Sequence, residues 1–334
     1  MKPDRLAVAF LGLHPDRRLQ LVAEHGGPRG LIAAVRRGAV SGLDGSMVRS
    51  AAECDRVMRS VGVRPMFHGD PDYPAALAGI ADPPDLLFVR GVIPPGPVVG
   101  VVGTRRSTAY GNGLARAFGR AIAAAGWVLC SGLARGIDAE AHRGTVEAGG
   151  AGIGVLGCGP DVVYPREHRR LVAELEAGGA IVTEYPPGTP PHGWRFPPRN
   201  RIISGLSRVL VVVEAAVTGG ALVTAARAIE QGREVFAVPG DVDRESSVGC
   251  NLLIRDGAIP VLGPEDLVEG LSLVLGLPRP PAAAAGPVPP SGIGIEDLGI
   301  RLGLSGRELA SWLGRAELNG AVRIEAGRVF PAGH

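Results

Sequence analysis

Apolar and polar positions along the middle of the chain alternate between short strands and longer amphipathic helices. The predicted strands are short runs rich in Val, Ile and Leu, at residues 97–102, 127–130, 152–156, 180–183, 209–213 and 234–238. The predicted helices have apolar positions at helical spacing, at residues 110–125, 138–148, 167–176 and 221–231, with a further helix start near Asn200. Near-continuous apolar strands separated by helices are typical of a parallel sheet covered on both faces. The predicted fold class is therefore α/β, with a Rossmann-like, doubly wound, mostly parallel sheet.

The flanking regions have different patterns, which divide the chain into four parts. Residues 1–64 read as short helices, at 6–13, 17–25, 30–37 and 47–61, separated by Pro, Gly and Ser. A proline-rich connector at 65–97 is expected to wrap the core, which runs to residue 277. Residues 278–290 are a Pro/Ala-rich linker. Residues 291–334 have the order helix, helix, hairpin, which predicts a winged-helix-like domain.

Length and composition restrict the class of protein. A chain of 334 residues with 46% hydrophobic residues is long enough for two or three domains. No apolar run approaches the roughly 18 residues that a membrane span needs, and the N-terminus lacks a secretory signal pattern. We therefore expect a soluble, cytoplasmic protein.

The cysteines and acidic residues give little indication of metal chemistry. The four cysteines are far apart in sequence and without Cys-x-x-Cys spacing, so buried, reduced thiols are expected instead of a zinc knuckle or disulfides. Asp138, Glu140 and His142 are close in sequence but do not share one helical face. We expect no metal site and no cofactor.

Charge and lysine usage limit the phosphate chemistry. The formal net charge is only +2, so any nucleic-acid site has to be a local patch. One such patch, Arg166, Arg169 and Arg170, has the simpler interpretation of a solvated helix face. In another, arginines alternate with Trp194 and Phe196 in a segment where prolines disfavour regular helix. Lysine occurs only at position 2, which excludes a phosphate loop of the Gly-Lys-Ser/Thr type.

Four segments at the ends of predicted strands combine glycine with arginine or with a helix start. They are residues 103–105, 131–138, 196–201 and 219–225. Loops that leave the carboxyl ends of parallel strands meet in one crevice, where exposed amides and helix N-termini favour anions. The sequence therefore predicts a phosphate-binding crevice at this edge of the sheet.

Each segment also has a purely structural interpretation. Arg105 could contact a phosphate or pair with Glu214, and Arg135 could do the same with Asp138 as its partner. Asp138 is expected to cap its helix. The Gly219-Gly220 turn could receive a phosphate or permit tight packing of helix on strand.

These segments, in this order and with Gly157–Pro165 between them, resemble the DNA-processing protein A family, also called DprA or Smf. The resemblance covers residues 73–270 and is weaker at both ends. It implies a bacterial cytoplasmic protein that binds single-stranded DNA, protects incoming strands in natural transformation and loads the RecA recombinase. It also implies a Rossmann-like core that forms homodimers, a preceding helical domain like a sterile alpha motif (SAM), and a following winged helix. Catalysis is not part of this expectation.

The resemblance and the crevice argument together give one set of expected DNA-binding residues. They are Gly103, Thr104, Arg105, Ser131, Gly132, Arg135, Gly136, Phe196, Arg199, Asn200, Arg201, Gly219 and Gly220. Amides and guanidinium groups would hold phosphates, while Phe196 or Trp194 would stack a base. Core packing is the alternative interpretation of either aromatic side chain.

Two alternatives remain open at this point. The Glu214 and Gly219-Gly220 region is similar to nucleotide phosphoribohydrolases, in which a Pro-Gly-Gly-x-Gly-Thr turn precedes a helix that carries a glutamate. Here the turn reads Val-Thr-Gly-Gly-Ala-Leu at 217–222, and the helix offers Glu230 only near its end. The second alternative is a regulatory nucleotide sensor, with tight affinity for mononucleotides.

Overall fold

A computed structural model describes residues 2–275, 288–289, 292–318 and 322–331. Its helices, in chain order, are α1 Lys2–Phe10, α2 Pro15–Glu24, α3 Pro28–Arg36, α4 Ala51–Ser60, α5 Ala75–Ala78, α6 Ala109–Ala124, α7 Ile137–Glu147, α8 Arg169–Gly178, α9 Phe196–Leu206, α10 Gly220–Glu230, α11 Glu245–Arg255, α12 Pro264–Leu275, α13 Ile295–Leu302 and α14 Gly306–Leu318. The strands are β1 Arg64–Phe67, β2 Leu86–Gly91, β3 Val98–Val102, β4 Val128–Ser131, β5 Gly152–Val155, β6 Ala180–Thr183, β7 Val209–Val212, β8 Glu234–Ala237, β9 Ile259–Pro260, β10 Ile293–Gly294, β11 Val322–Glu325 and β12 Arg328–Pro331. The alternation of strands and helices between β3 and β8 agrees with the sequence prediction.

The main sheet has the order β1-β2-β6-β5-β4-β3-β7-β8-β9. All neighbours from β6 to β9 pair in parallel, whereas β2 is antiparallel to both β1 and β6. From β3 the chain adds β4, β5 and β6 on one side of β3, and it then crosses back to add β7 on the other side of β3. The strand order therefore reverses at β3 and β7, which makes their carboxyl ends the topological switch point of a doubly wound sheet.

Helices cover both faces of this sheet, and the side chains of β3 show how. Val99 and Val101 are fully buried under α6, α7 and α12, in a cluster with Phe118 and Leu271. Val102 belongs to the opposite cluster, with residues from α9 and α10. Because successive side chains of a strand point to opposite faces, an unbroken apolar strand needs a covering layer on each side. The observed layers are what the apolar runs predict.

The proline-rich segment 65–97 was predicted to be a connector, and that prediction is wrong. Its apolar pieces form β1 and β2, which extend the main sheet, with Met66 opposite Leu87. Pro65 is acceptable there because β1 is an edge strand. A residue without an N–H can face the open edge and cost the sheet no hydrogen bond. The sequence prediction also assigned no elements to residues 245–275, where the structure has α11, β9 and α12.

The N-terminal helices α1 to α4 pack on each other and on the edge of the sheet. Leu6 of α1 shares a buried cluster with Phe88 of β2, and Arg5 pairs with Asp85 at 2.6 Å. A deeper link joins α2 to β6: the carboxylate of Glu184, which follows β6 directly, accepts from Arg18. These contacts fix the helical segment against the core.

The C-terminal part has helices α13 and α14, followed by the hairpin of β11 and β12, and β10 completes a three-stranded antiparallel sheet. Leu298 and Val329 are fully buried in its own small core. The predicted linker 278–290 lies outside the described residues, apart from Val288 and Pro289.

Two further expectations concern cysteines and membranes. All four cysteines are buried and unpaired, as predicted. Within the described residues, no helix combines the length and the apolar character that crossing a bilayer requires.

His142 on α7 generates a testable pH dependence. It is fully buried, and among the described residues neither ring nitrogen has a hydrogen-bond partner. Burial lowers the pKa of His142 to about 3 from an ordinary value of 6.5. The unfolded chain therefore binds a proton that the folded chain does not, so the folded state loses stability as pH falls below about 6.5.

We expect this residue alone to remove roughly 2 to 3 kcal/mol of unfolding free energy between pH 6.5 and 4.5. Urea denaturation of the wild type and of His142→Leu at several pH values measures it. The variant should have the shallower pH dependence, because its core side chain does not titrate. Parallel curves for the two proteins would contradict the assignment.

Candidate functional site

A crevice of about 420 Å³ opens at the carboxyl ends of β3 and β7, at the switch point of the sheet. Its walls are the loop after β3, the start of α7, the first turns of α9 and α10, and the glycine turn before α10. The lining residues are Val102, Gly103, Thr104, Arg105, Arg106, Ala134, Asp138, Arg199, Asn200, Ile203, Gly219, Gly220, Ala221 and Thr224. The structure thus brings all four predicted segments to one place.

Glu214, two residues after β7, anchors the loop that carries Arg105. The backbone N–H of Thr104 donates to the Glu214 carbonyl at 2.7 Å. The Glu214 carboxylate accepts from the Thr108 N–H at 2.9 Å and from the Thr108 hydroxyl at 2.6 Å. Glu214 is buried and engaged by its own fold, so it is neither the partner of Arg105 nor a free general base.

The loop from Ser131 to α7 closes the other side of the same segment. The Ile137 N–H donates to the Thr104 carbonyl at 3.4 Å. Gly136 has φ +76°, and a Cβ on it would lie 2.4 Å from the Thr104 carbonyl oxygen. Only glycine fits both the conformation and this contact.

Asp138 was predicted to cap α7, and the structure corrects this. Gly136 occupies the cap position without a side-chain hydrogen bond. The Asp138 carboxylate instead accepts from the N–H groups of Gly132 and Ala134, at 3.2 and 3.3 Å. Burial raises the pKa of Asp138, and the neighbouring positive charge of Arg199 opposes that rise. These two hydrogen bonds hold the loop between Gly132 and Asp138 in a closed turn at the floor of the crevice.

Arg199 lies beneath the crevice, with only 3% of its surface exposed. Its Nη1 donates to the Gly132 carbonyl at 2.8 Å and to the Val155 carbonyl, and its Nε donates to Asn200. Burial lowers the pKa of Arg199, while Asp138 raises it; a guanidinium remains protonated at neutral pH in either case. Within the described residues no carboxylate lies close enough to form a salt bridge with it. Arg199 therefore supplies positive charge to the crevice from below.

Helix α10 presents its N-terminus to the crevice. No side chain caps it, and Gly219 and Gly220 form its entry. A Cβ on Gly220 would meet no atom within 4 Å, so the space beside this residue is open. Uncapped N–H groups and the positive end of a helix dipole favour a bound anion.

Arg105 is an exposed cation at the rim of the crevice. Its side chain is exposed, it forms no ion pair among the described residues, and its guanidinium carbon lies 5.1 Å from the centroid of the Phe196 ring. Phe196 opens α9, which starts four residues earlier than predicted. Pro197 and Pro198 are accommodated because the first turn of a helix makes no use of their missing N–H groups.

Comparison with known proteins decides which family this arrangement represents. Residues 64–272 match the family model described as "DNA recombination-mediator protein A". The chain belongs to the DNA recombination-mediator protein A family. The match covers all four loop segments and the whole crevice, and it confirms the resemblance seen in the sequence.

Curated family members and solved structures agree with this assignment. The chain is 47% identical over 206 residues to protein Smf of Escherichia coli, a match covering 61% of this chain and 55% of the relative. It is 41% identical over 216 residues to the DNA processing protein DprA of Bacillus subtilis, covering 64% and 73%. The structure of DNA processing protein A from Streptococcus pneumoniae matches at a TM-score of 0.64 and 30% identity, covering 79% of this chain and 95% of that one. The chain thus spans about half of the E. coli relative.

Six of the thirteen predicted binding residues do not line the crevice: Ser131, Gly132, Arg135, Gly136, Phe196 and Arg201. Ser131 is fully buried and donates to the Val101 carbonyl at 2.6 Å. Arg201 is buried and binds Glu184 at 2.8 Å, so it holds the fold together and does not reach the crevice. Arg135 is exposed outside the crevice and pairs with Glu167 at 2.5 Å, not with Asp138.

The Glu184 ion pair explains why Arg201 is unavailable. Burial alone would raise the pKa of Glu184, but the guanidinium groups of Arg201 and Arg18 outweigh it and lower that pKa. A buried carboxylate with two arginine partners is a structural unit, because removing one partner leaves an uncompensated buried charge. The signal in the sequence was Glu184, an acidic residue directly after the predicted strand 180–183. The residues next to Arg201 do not indicate that the two side chains pair.

The sequence prediction missed Arg106, which is exposed and lines the crevice beside Arg105. Trp194 was a candidate for stacking a base, but its ring contacts His14 and Arg195 and does not line the crevice. The hydrolase alternative needs a glutamate near the glycine turn, but Glu230 lies at the far end of α10 and pairs with Arg227 at 2.8 Å. In the described residues no group of acidic, His and Cys side chains could hold a metal ion.

Two glycines at this site should respond to substitution in opposite ways. Gly136→Ala forces a Cβ into a positive-φ position against a carbonyl oxygen, and we expect it to lower the unfolding free energy by about 1 to 3 kcal/mol or more. Gly220→Ala enters open space and should change stability by less than about 1 kcal/mol, in the stabilising direction. Urea denaturation at pH 7 compares them; equal losses would contradict the loop geometry.

Proposed function

We propose that the crevice binds the backbone of single-stranded DNA. The observation that carries this proposal is the exposed Arg105 guanidinium without a carboxylate partner in the described residues, above a buried cation and beside an uncapped helix. Arg105, Arg199 and the amides of α10 all favour a negatively charged group at one point. The carboxylates nearby, Glu214 and Asp138, are already hydrogen-bonded within the fold.

Charge and shape favour a single strand over a duplex. Guanidinium groups, backbone amides and small side chains line the crevice and suit a phosphate, and the aromatic rings of Phe196 and Tyr164 line the adjoining cavity. A positively charged groove with adjacent aromatic rings is the usual arrangement in proteins that bind single strands without sequence preference. Binding should therefore tolerate any base sequence and weaken with salt as phosphate contacts release counterions.

A family relative supports this proposal. The structure of DNA processing protein A from Helicobacter pylori, a protein with a single-stranded DNA binding mode, matches at a TM-score of 0.57 and 25% identity. That match covers 63% of this chain and 95% of the other. This likeness in fold supports the proposal that the present chain also binds a single strand.

The wider role follows from family membership. We infer that the protein protects incoming single strands in natural transformation and recombination, loads RecA onto them, and acts as a homodimer through its core. The SAM-like and winged-helix assignments of the terminal segments belong to the same proposal, and the protein would act without catalysing a reaction.

Arg105 provides the direct test of the crevice. Arg105→Ala should weaken binding of labelled oligothymidine by about tenfold or more, because it removes a charged phosphate contact, and should lower the slope of log affinity against log salt by about 1. Fluorescence anisotropy at two or more salt concentrations measures both quantities.

Arg227→Ala is the matched control, since Arg227 is also exposed but lies at the other end of α10 in an ion pair with Glu230. It should leave affinity and salt slope close to those of the wild type. If Arg105→Ala binds as tightly as this control, Arg105 is not part of the site.

The partner proposals need a separate experiment. Light scattering should give twice the chain mass of 34.4 kDa for a homodimer. The protein should accelerate assembly of RecA on single strands, measured by RecA ATPase activity, and Arg105→Ala should not. A monomer, or RecA assembly indifferent to the protein, would contradict these two parts without affecting the DNA-binding proposal.

A further inference from the structure

A second, smaller cavity of about 50 Å³ adjoins the crevice and shares Arg105 with it. The aromatic rings of Tyr164 and Phe196 line it together with Arg135 and Pro165. The two rings lie 5.7 Å apart between centroids, with a tilt of 33°. An aromatic surface thus continues directly from the point where Arg105 would hold a phosphate.

The two rings differ in what already covers them. The guanidinium carbons of Arg105 and Arg199 lie 5.1 and 5.9 Å from the centroid of Phe196. Gly157 approaches the same ring so closely that a Cβ there would lie 2.8 Å from it. Phe196 is half-buried and engaged by these neighbours, so its ring supports Arg105 and offers little free face.

Tyr164 is the more accessible ring. It is 42% exposed. The next residue, Pro165, is buried and fixes the backbone beside it. An exposed aromatic ring packed on one side against a second ring loses little conformational freedom when something stacks on the other side.

We propose that Tyr164 stacks a base of the bound strand, while Phe196 acts as the backing for Arg105. This inference rests on the proposed function, because it assigns a base site to the strand whose phosphate the crevice holds. Arg105 flanks the ring and would neutralise the adjoining phosphate, whereas Arg135 is already paired with Glu167. Stacking on a tyrosine accepts any base, which fits binding without sequence preference.

The test separates base contacts from phosphate contacts. Oligothymidine and an abasic oligonucleotide of equal length carry the same phosphates, and only the first has bases to stack. Tyr164→Leu should weaken binding of oligothymidine by about tenfold and leave binding of the abasic strand unchanged. Tyr164→Phe keeps the ring and should retain the wild-type affinity for both strands.

Tyr110→Leu is the control, since Tyr110 is also exposed, at 59%, at the start of α6 but does not line this cavity. It should bind both strands as the wild type does. Thermal unfolding of each variant verifies that the fold is intact.

Two failures can be told apart. If Tyr164→Leu weakens both strands equally, or weakens neither, the base site at Tyr164 is wrong. The proposed function survives those results as long as the wild type binds single strands in a salt-sensitive way. If the wild type binds no single strand at all, the proposed function fails, and this inference fails with it.

Discussion

The buried guanidinium of Arg199 is the interaction on which the crevice depends. It donates to the carbonyl of Gly132, directly after β4, and to that of Val155, the last residue of β5, so it joins the carboxyl ends of two adjacent strands. A Cβ on Gly132 would lie 2.6 Å from the guanidinium nitrogens, which explains why glycine occupies that position. Without Arg199, two buried carbonyl oxygens would lose their donor and Asp138 would lose its neighbouring positive charge.

The hydrogen bonds of Arg199 fix the position of its positive charge beneath the crevice. The loop of Arg105 is held on one side by Glu214 and on the other by the N-terminus of α7. These hydrogen bonds within the fold preorganise the backbone of the crevice. Preorganised donors make an anion site stronger because little entropy is lost on binding. The doubly wound sheet contributes by bringing the ends of β3 and β7 together at its switch point.

Much of this could be predicted from the sequence, because apolar periodicity and glycine-rich turns are local signals. The order of strands and helices in the core and the convergence of the four segments were of this kind. The separate roles of Arg105, Arg199 and Arg201 could not be predicted, since the residue type is the same at all three positions. Whether each is exposed, buried under carbonyls or paired with Glu184 depends on residues distant in sequence. Likewise, Pro65 read as a loop residue because nothing local indicates that its strand lies at a sheet edge.

The most direct test of the account is the affinity of the wild-type protein for oligothymidines of increasing length, a matched duplex and a mononucleotide, at several salt concentrations. The account predicts affinity that rises with strand length, falls steeply with salt and exceeds that for the duplex. Binding of the mononucleotide as tightly as of the longest strand, with little dependence on salt, would contradict it and would favour a nucleotide sensor.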